Sequence, residues 1–125
     1  IRRSNLYAEA GADIIFFESP TSDEQVEKIP DLVHAPVMLN MSEGAKTPLH
    51  NNAEIRSLGY KLVIWPSSAT WAAARAIQEI YQILKDKGTT GEDLEKLILF
   101  HEFNDLIGLP EVMRLSDEYK TGTTY

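Results

Sequence analysis

The chain has 125 residues, of which 43% are hydrophobic and 25% charged, with a formal net charge of −7 and no cysteine. That balance fits one soluble globular domain with a real core. The acidic surplus argues against a nucleic-acid surface, which needs clustered Lys and Arg, and the lack of cysteine leaves no disulfide framework, thiolate metal site or Cys nucleophile in this stretch.

No apolar run reaches the length of a bilayer and no signal-peptide pattern opens the chain, so a cytoplasmic protein with no membrane partner is expected. The first residue is Ile1, and residues 2–10 have helical spacing with a stop at Gly11. This reads as the tail of a helix, and hence as part of a longer protein; a trimmed chain is the alternative. Asp13 to Phe17 is the first predicted strand. Thr21 to Ile29 is a short helix with N-cap candidates and acids in its first turn, and Pro30 is expected to limit it. Val37 to Leu39 is a second strand, Asn51 to Leu58 a second short helix stopped by Gly59, and Tyr60 to Trp65 a third strand closed by Pro66-Ser67-Ser68. A long helix rich in Ala, Ile and Leu runs from Ala69 to Lys87. Beyond Gly88 no strand is predicted. Leu94, Leu97, Ile98, Phe100 and Phe103 mark one amphipathic helix, Gly108-Leu-Pro-Glu111 breaks it, and a last helix runs to about Tyr119.

Strands alternating with helices imply a parallel sheet with right-handed crossovers, an α/β fold. Each unit has the length of one repeat of a (β/α)₈ barrel, which uses roughly 250 residues for eight. Three strands cannot close such a barrel, so the pattern reads as a partial barrel over 1–87 or a small open sheet, followed by a helical extension over 88–125.

The chemistry-bearing residues sit where strands end. Glu18 closes the first apolar run and Asn40 the second, twenty-two positions later. In a parallel array they fall on neighbouring strands and face one cleft. A carboxylate at the end of a buried strand is expected to be partly desolvated and suited to acid–base work, or else paired with a cation. The Asn40 amide can donate to a carboxylate or oxyanion, or merely satisfy its own loop. Ser42 can help hold the same anion. Glu43 and Lys46 read as a solvated surface pair, and Trp65 and Pro66 as a cleft wall or as core. His34, His50 and His101 share no metal-binding spacing and are taken as structural. No dinucleotide fingerprint, Walker loop or nucleophile elbow is present.

Three stretches carry a resemblance: Phe16-Phe-Glu-Ser-Pro20, Pro36-Val-Met-Leu-Asn-Met-Ser-Glu-Gly-Ala-Lys-Thr-Pro48, and Leu58-Gly-Tyr-Lys-Leu-Val-Ile-Trp-Pro66. With Tyr7 to Asp13 before them and Phe103 to Glu111 after, the chain resembles the isocitrate lyase / phosphoenolpyruvate mutase superfamily, and within it the methylisocitrate lyase and dimethylmalate lyase-like members. The resemblance implies strands six to eight of a (β/α)₈ TIM barrel plus C-terminal helices, which such proteins often exchange between subunits of a dimer within a tetramer. It implies Mg²⁺-dependent cleavage or formation of a bond next to a carboxylate-bearing carbon through an enolate, and the first reading is carbon–carbon cleavage of a small 2-hydroxy di- or tricarboxylate. Glu18 matches the acidic residue beside the substrate after strand six. Asn40 and Ser42 match the residues that bind a substrate carboxylate after strand seven, and Ile64 and Pro66 the wall after strand eight. The family's metal-binding acids, its catalytic loop with a cysteine, and the arginine that clamps the substrate belong to earlier strands. Trp65 stands where many members have Tyr or Phe, and Ala45 where a second Gly is common. Two other readings remain: oxaloacetate hydrolysis or decarboxylation, or phosphonate rearrangement, in the same superfamily; and a non-catalytic half-barrel that associates through the apolar face of residues 94–107.

Overall fold

Three short parallel strands organise the first part of the chain. In the computed structural model, which describes residues 1–120, β1 (Ile15–Phe16), β2 (Val37–Asn40) and β3 (Leu62–Ile64) form one sheet in that order. Helices α1 (Arg2–Glu9), α2 (Asp23–Leu32) and α3 (Asn52–Ser57) precede the three strands in turn. The two crossover helices start where local chemistry satisfies their first amides. The Ser22 hydroxyl accepts from the Gln25 N–H, with Asp23 and Glu24 in the first turn of α2. Asn51 and Glu54 form a reciprocal capping box at α3. The α/β fold with a parallel sheet is therefore the one expected from the alternation of elements.

The register sorts the side chains onto two faces. Ile15 pairs with Val37 and Phe16 with Met38, an offset of 22. Met38 pairs with Leu62, Leu39 with Val63, and Asn40 with Ile64, an offset of 24. Paired residues of a parallel sheet share a face and neighbours alternate. Ile15, Val37 and Leu39 thus turn to the helices, where they pack with Val26, Ile29, Val33, Ile55 and Tyr60. Phe16, Met38, Leu62, Asn40 and Ile64 share the opposite face; there Phe16 and Leu62 are exposed.

Several predicted boundaries differ. The first and third strands are shorter than Asp13–Phe17 and Tyr60–Trp65, and Asn40 is the last residue of its strand rather than the first of a loop. Pro30 does not end α2, which continues to Leu32. A proline inside a helix leaves the carbonyl four residues earlier without its usual amide donor. Here that carbonyl belongs to Val26, and the buried Tyr60 hydroxyl donates to it at 2.9 Å. The replacement donor comes from 34 residues away, which is why Pro30 alone suggested a stop. Burial pushes the Tyr60 hydroxyl up to a pKa of about 12.

The chain divides into two compact units, Ile1–Ala73 and Ala74–Tyr125. In the second, α4 (Ser68–Lys87) ends at Gly88. The single amphipathic helix expected over 94–107 is two elements: a 3₁₀ turn at Leu94–Lys96 and α5 (Phe100–Leu106). Leu97 between them is extended, and Glu102 turns back to accept the Leu99 N–H at 3.0 Å, starting a new helix. Gly108, at φ +77°, makes the left-handed corner into α6 (Leu109–Glu118). No further strand occurs among the described residues, and none of their helices is long and apolar enough to cross a membrane.

Candidate active site at the carboxyl ends of the strands

The carboxyl ends of β1, β2 and β3 lie side by side because the strands are parallel and in one sheet. This is where ligands sit in open α/β folds. Asn40 is the last residue of β2, half-buried and paired with Ile64. Its Oδ1 is buried and has no hydrogen-bond partner among the described residues. A side-chain amide turned about its last torsion exchanges oxygen for NH₂, so the position offers either an acceptor or a donor to an incoming group. The strand mount leaves little freedom: the Met41 N–H donates to the Ile64 carbonyl at 2.9 Å, the final rung between β2 and β3.

Glu18 lies two residues past β1 and keeps the same offset of 22 from Asn40 that the paired strand residues keep. Ser19, at φ +50°, holds the left-handed conformation uncommon for a non-glycine residue, and its hydroxyl donates to Glu18 Oε1 at 2.6 Å. Glu18 is exposed, so the partial desolvation expected of it is not supplied by these residues. Ser42 is half-buried, its Oγ 3.5 Å from Ser67 Oγ. Ile64 is half-buried on the Asn40 face, and Pro66 is exposed.

Two readings are decided here by a partner distant in sequence. Glu43 is half-buried, and the Ser68 hydroxyl donates to its Oε1; Oε2 is buried without a hydrogen-bond partner among the described residues. The Ser68 hydrogen bond, and next a backbone one, hold the Glu43 carboxyl below the usual carboxylate range. It is not the solvated partner of Lys46. Trp65, open between cleft wall and core, is not core: it is 38% exposed, and its indole N–H donates to Asn52 Oδ1 on α3 at 3.3 Å. The signal for Glu43 was the serine pair Ser67-Ser68, two hydroxyls after a strand end with no other assigned role. His50 anchors the far end of the β2–α3 loop, its Nε2 3.0 Å from Asp23 Oδ1 and its Nδ1 3.6 Å from Glu54 Oε2.

Among the described residues no group of three or more His, Cys, Asp or Glu could hold a metal ion. The side chains assembled here do not by themselves fit a Mg²⁺ site.

A parallel sheet crossed over by helices, with an amide, hydroxyls and carboxylates at or just past its strand ends, defines an α/β protein. Comparison with known proteins narrows this. The family model for phosphoenolpyruvate phosphomutase matches residues 1–85. The chain is 38% identical to 2,3-dimethylmalate lyase of Eubacterium barkeri over 98% of its length, covering 42% of that protein. It is 42% identical to 2-methylisocitrate lyase of Aeropyrum pernix over 86% of its length, covering 35% of that protein. The crystal structure of a 2,3-dimethylmalate lyase superposes with a TM-score of 0.83 at 33% identity, over 94% of this chain and 41% of the other. The chain belongs to the phosphoenolpyruvate mutase / isocitrate lyase superfamily, and it spans about two fifths of the length of the curated relatives it matches.

Proposed function

We propose that this chain is the C-terminal part, about strands six to eight, of a (β/α)₈ carbon–carbon lyase that cleaves a small 2-hydroxy di- or tricarboxylate. Residues 1–87 are the barrel portion and 88–125 a helical extension through which subunits associate. The observation that carries the reading is Asn40: a strand-mounted amide whose buried oxygen has no hydrogen-bond partner among the described residues, two positions before Ser42 at the carboxyl end of β2. Asn40 and Ser42 hold a substrate carboxylate. Glu18 orients the substrate hydroxyl or moves its proton, with Ser19 fixing one carboxylate oxygen. Ile64 and Pro66 border the substrate's carbon chain. Mg²⁺, when bound by residues outside this chain, supplies charge stabilisation at the reacting oxygens.

The test uses the full protein that carries this sequence. Its intact mass comes first: a value near the 14.1 kDa of this chain removes the enzyme reading, and one about twice as large matches a complete barrel. Mg²⁺-dependent release of pyruvate, glyoxylate or succinate from a panel of 2-hydroxy acids then supports the lyase. In Asn40→Ala a hydrogen bond to a charged group is lost, about 1.5–3 kcal/mol, so KM should rise about 10- to 100-fold. Unchanged affinity with surviving turnover refutes the site assignment. One second reading has a specific observation behind it: the chain is also 38% identical, over 95% of its length, to the chloroplastic carboxyvinyl-carboxyphosphonate phosphorylmutase of Arabidopsis thaliana. Turnover of a phosphonate in place of every hydroxy acid in the panel would favour that chemistry.

A further inference from the structure

The last backbone rung between β2 and β3 is Met41 N–H to Ile64 carbonyl. Beyond it the two connections continue side by side, but the hydrogen bonds change character. Ser42 meets Ser67 and Glu43 meets Ser68, both across 25 residues. The strand offset is 24, so one residue slips in on the β3 side, where Trp65 and Pro66 intervene and Pro66 has no N–H to offer. Side-chain oxygens take over the zip where backbone amides cannot. The Ser67 hydroxyl faces Ser42, and its carbonyl accepts the Trp71 N–H at 2.8 Å at the start of α4. Ser68, one residue later, has its hydroxyl free for Glu43. A carboxylate at the first turn of a 20-residue helix also gains from the helix dipole.

We propose that Ser68 is a positioning residue of the strand-end site: by holding Glu43 it fixes the loop after β2, and with it Asn40 and Ser42, against the β3 end that carries Ile64 and Pro66. This rests on the functional reading given above. Ser68 needs no contact with substrate. Its effect passes through Glu43, whose second oxygen is buried with no hydrogen-bond partner among the described residues. Removing the hydroxyl takes away the side-chain donor that holds this half-buried carboxylate against the β3 end, and the loop moves to rehydrate it. The lowered pKa of Glu43, caused first by Ser68, agrees with a carboxylate that stays ionised in this clasp.

The experiment compares Ser68→Ala with Ser68→Thr, which keeps the hydroxyl, in the full protein. Malate, as a 2-hydroxy dicarboxylate probe, is titrated calorimetrically in the presence of MgCl₂, and amide hydrogen exchange is followed over residues 42–47. Ser68→Ala should weaken malate binding about tenfold, the scale of one lost charge-assisted hydrogen bond. It should also speed exchange in the loop and raise KM more than it lowers kcat. Ser68→Thr should stay within about twofold of wild type on the same scale. Equal loss in both variants, or wild-type binding in Ser68→Ala, overturns the proposal. Should the wild-type protein bind neither malate nor any panel substrate, the lyase reading falls separately. The clasp is then judged on exchange alone: faster loop exchange in Ser68→Ala only supports it, and unchanged exchange overturns it.

Discussion

The two units bury their apolar residues to very different extents. Every buried hydrophobic side chain, from Ile15 to Tyr60, lies in the first unit, and among the described residues of the second only Asp93 is buried. Yet the second unit is nearly as apolar in sequence. Phe100, Phe103, Leu106, Ile107, Val112 and Met113 are all exposed. The first unit covers one face of its sheet with its own helices. The second forms its helices from caps and local ion pairs, such as Arg114 with Glu111 and Glu118, and its described residues bury no hydrophobic side chain. Apolar patterning therefore predicts helices equally well in both units, and predicts a buried centre in only one.

The largest expected effect breaks the comparison if it fails. Leu39 is 0% exposed at the centre of the sheet, whereas Phe100 is 84% exposed. Leu39→Ala should cost about 2–5 kcal/mol in urea unfolding, from lost burial plus a residual cavity. Phe100→Ala should stay within about 0.5 kcal/mol if its ring is solvated in the working protein. A loss at Phe100 comparable to that at Leu39 would mean the second unit's apolar face is covered in the assembled protein, and the contrast between the units would dissolve.

The same contrast explains what was readable in advance. The alternating elements, the parallel sheet and the strand offset of 22 follow from spacings of about twenty residues, and spacing is visible in a sequence. Pro30 and Glu43 were misjudged and Trp65 left open because each is explained by a partner outside its own segment: Tyr60, Ser68 and Asn52. The split between Leu94–Lys96 and α5 was missed for a subtler reason. The apolar period runs on through Leu97 and Ile98, while the interruption depends on Glu102 capping the Leu99 amide. The exposure of Glu18 was not legible either, because burial depends on what surrounds a strand end and not on the strand.

The Tyr60–Val26 hydrogen bond offers an intermediate effect within the well-packed unit. Tyr60→Phe leaves the buried Val26 carbonyl without a donor and should cost about 1–2 kcal/mol. The account is specific to Pro30, so it predicts coupling. In a Pro30→Ala background the new amide can reach Val26, and Tyr60→Phe should then cost less by about 1 kcal/mol. Strict additivity would refute the exchange of donors. The tyrosine also carries a pH signature. Its hydroxyl titrates near 10 when unfolded and at about 12 in the fold, so between those values the native state holds the proton more tightly. That contribution is complete below pH 10 and is lost as pH rises through 12. Wild type should therefore lose stability faster than Tyr60→Phe over that window.

The smallest effect tests whether Asp93 is a substitute core for the second unit. Its carboxylate is 12% exposed and lies 2.8 Å from Lys87 Nζ, on the last turn of α4, but Lys87 is 45% exposed. An ammonium that open regains water when its partner goes, so the pair behaves more like a surface bridge than a buried one. Asp93→Ala should cost about 0.5–1 kcal/mol, by analogy with partly exposed pairs, and the difference from wild type should shrink in 1 M salt, where the screening length is about 3 Å. A loss well above 2 kcal/mol that persists in salt would be the behaviour of a desolvated ion pair holding its surroundings together. In that case the second unit would own a polar centre in place of a hydrophobic one, and its exposed apolar residues would be free for another role rather than required for its folding.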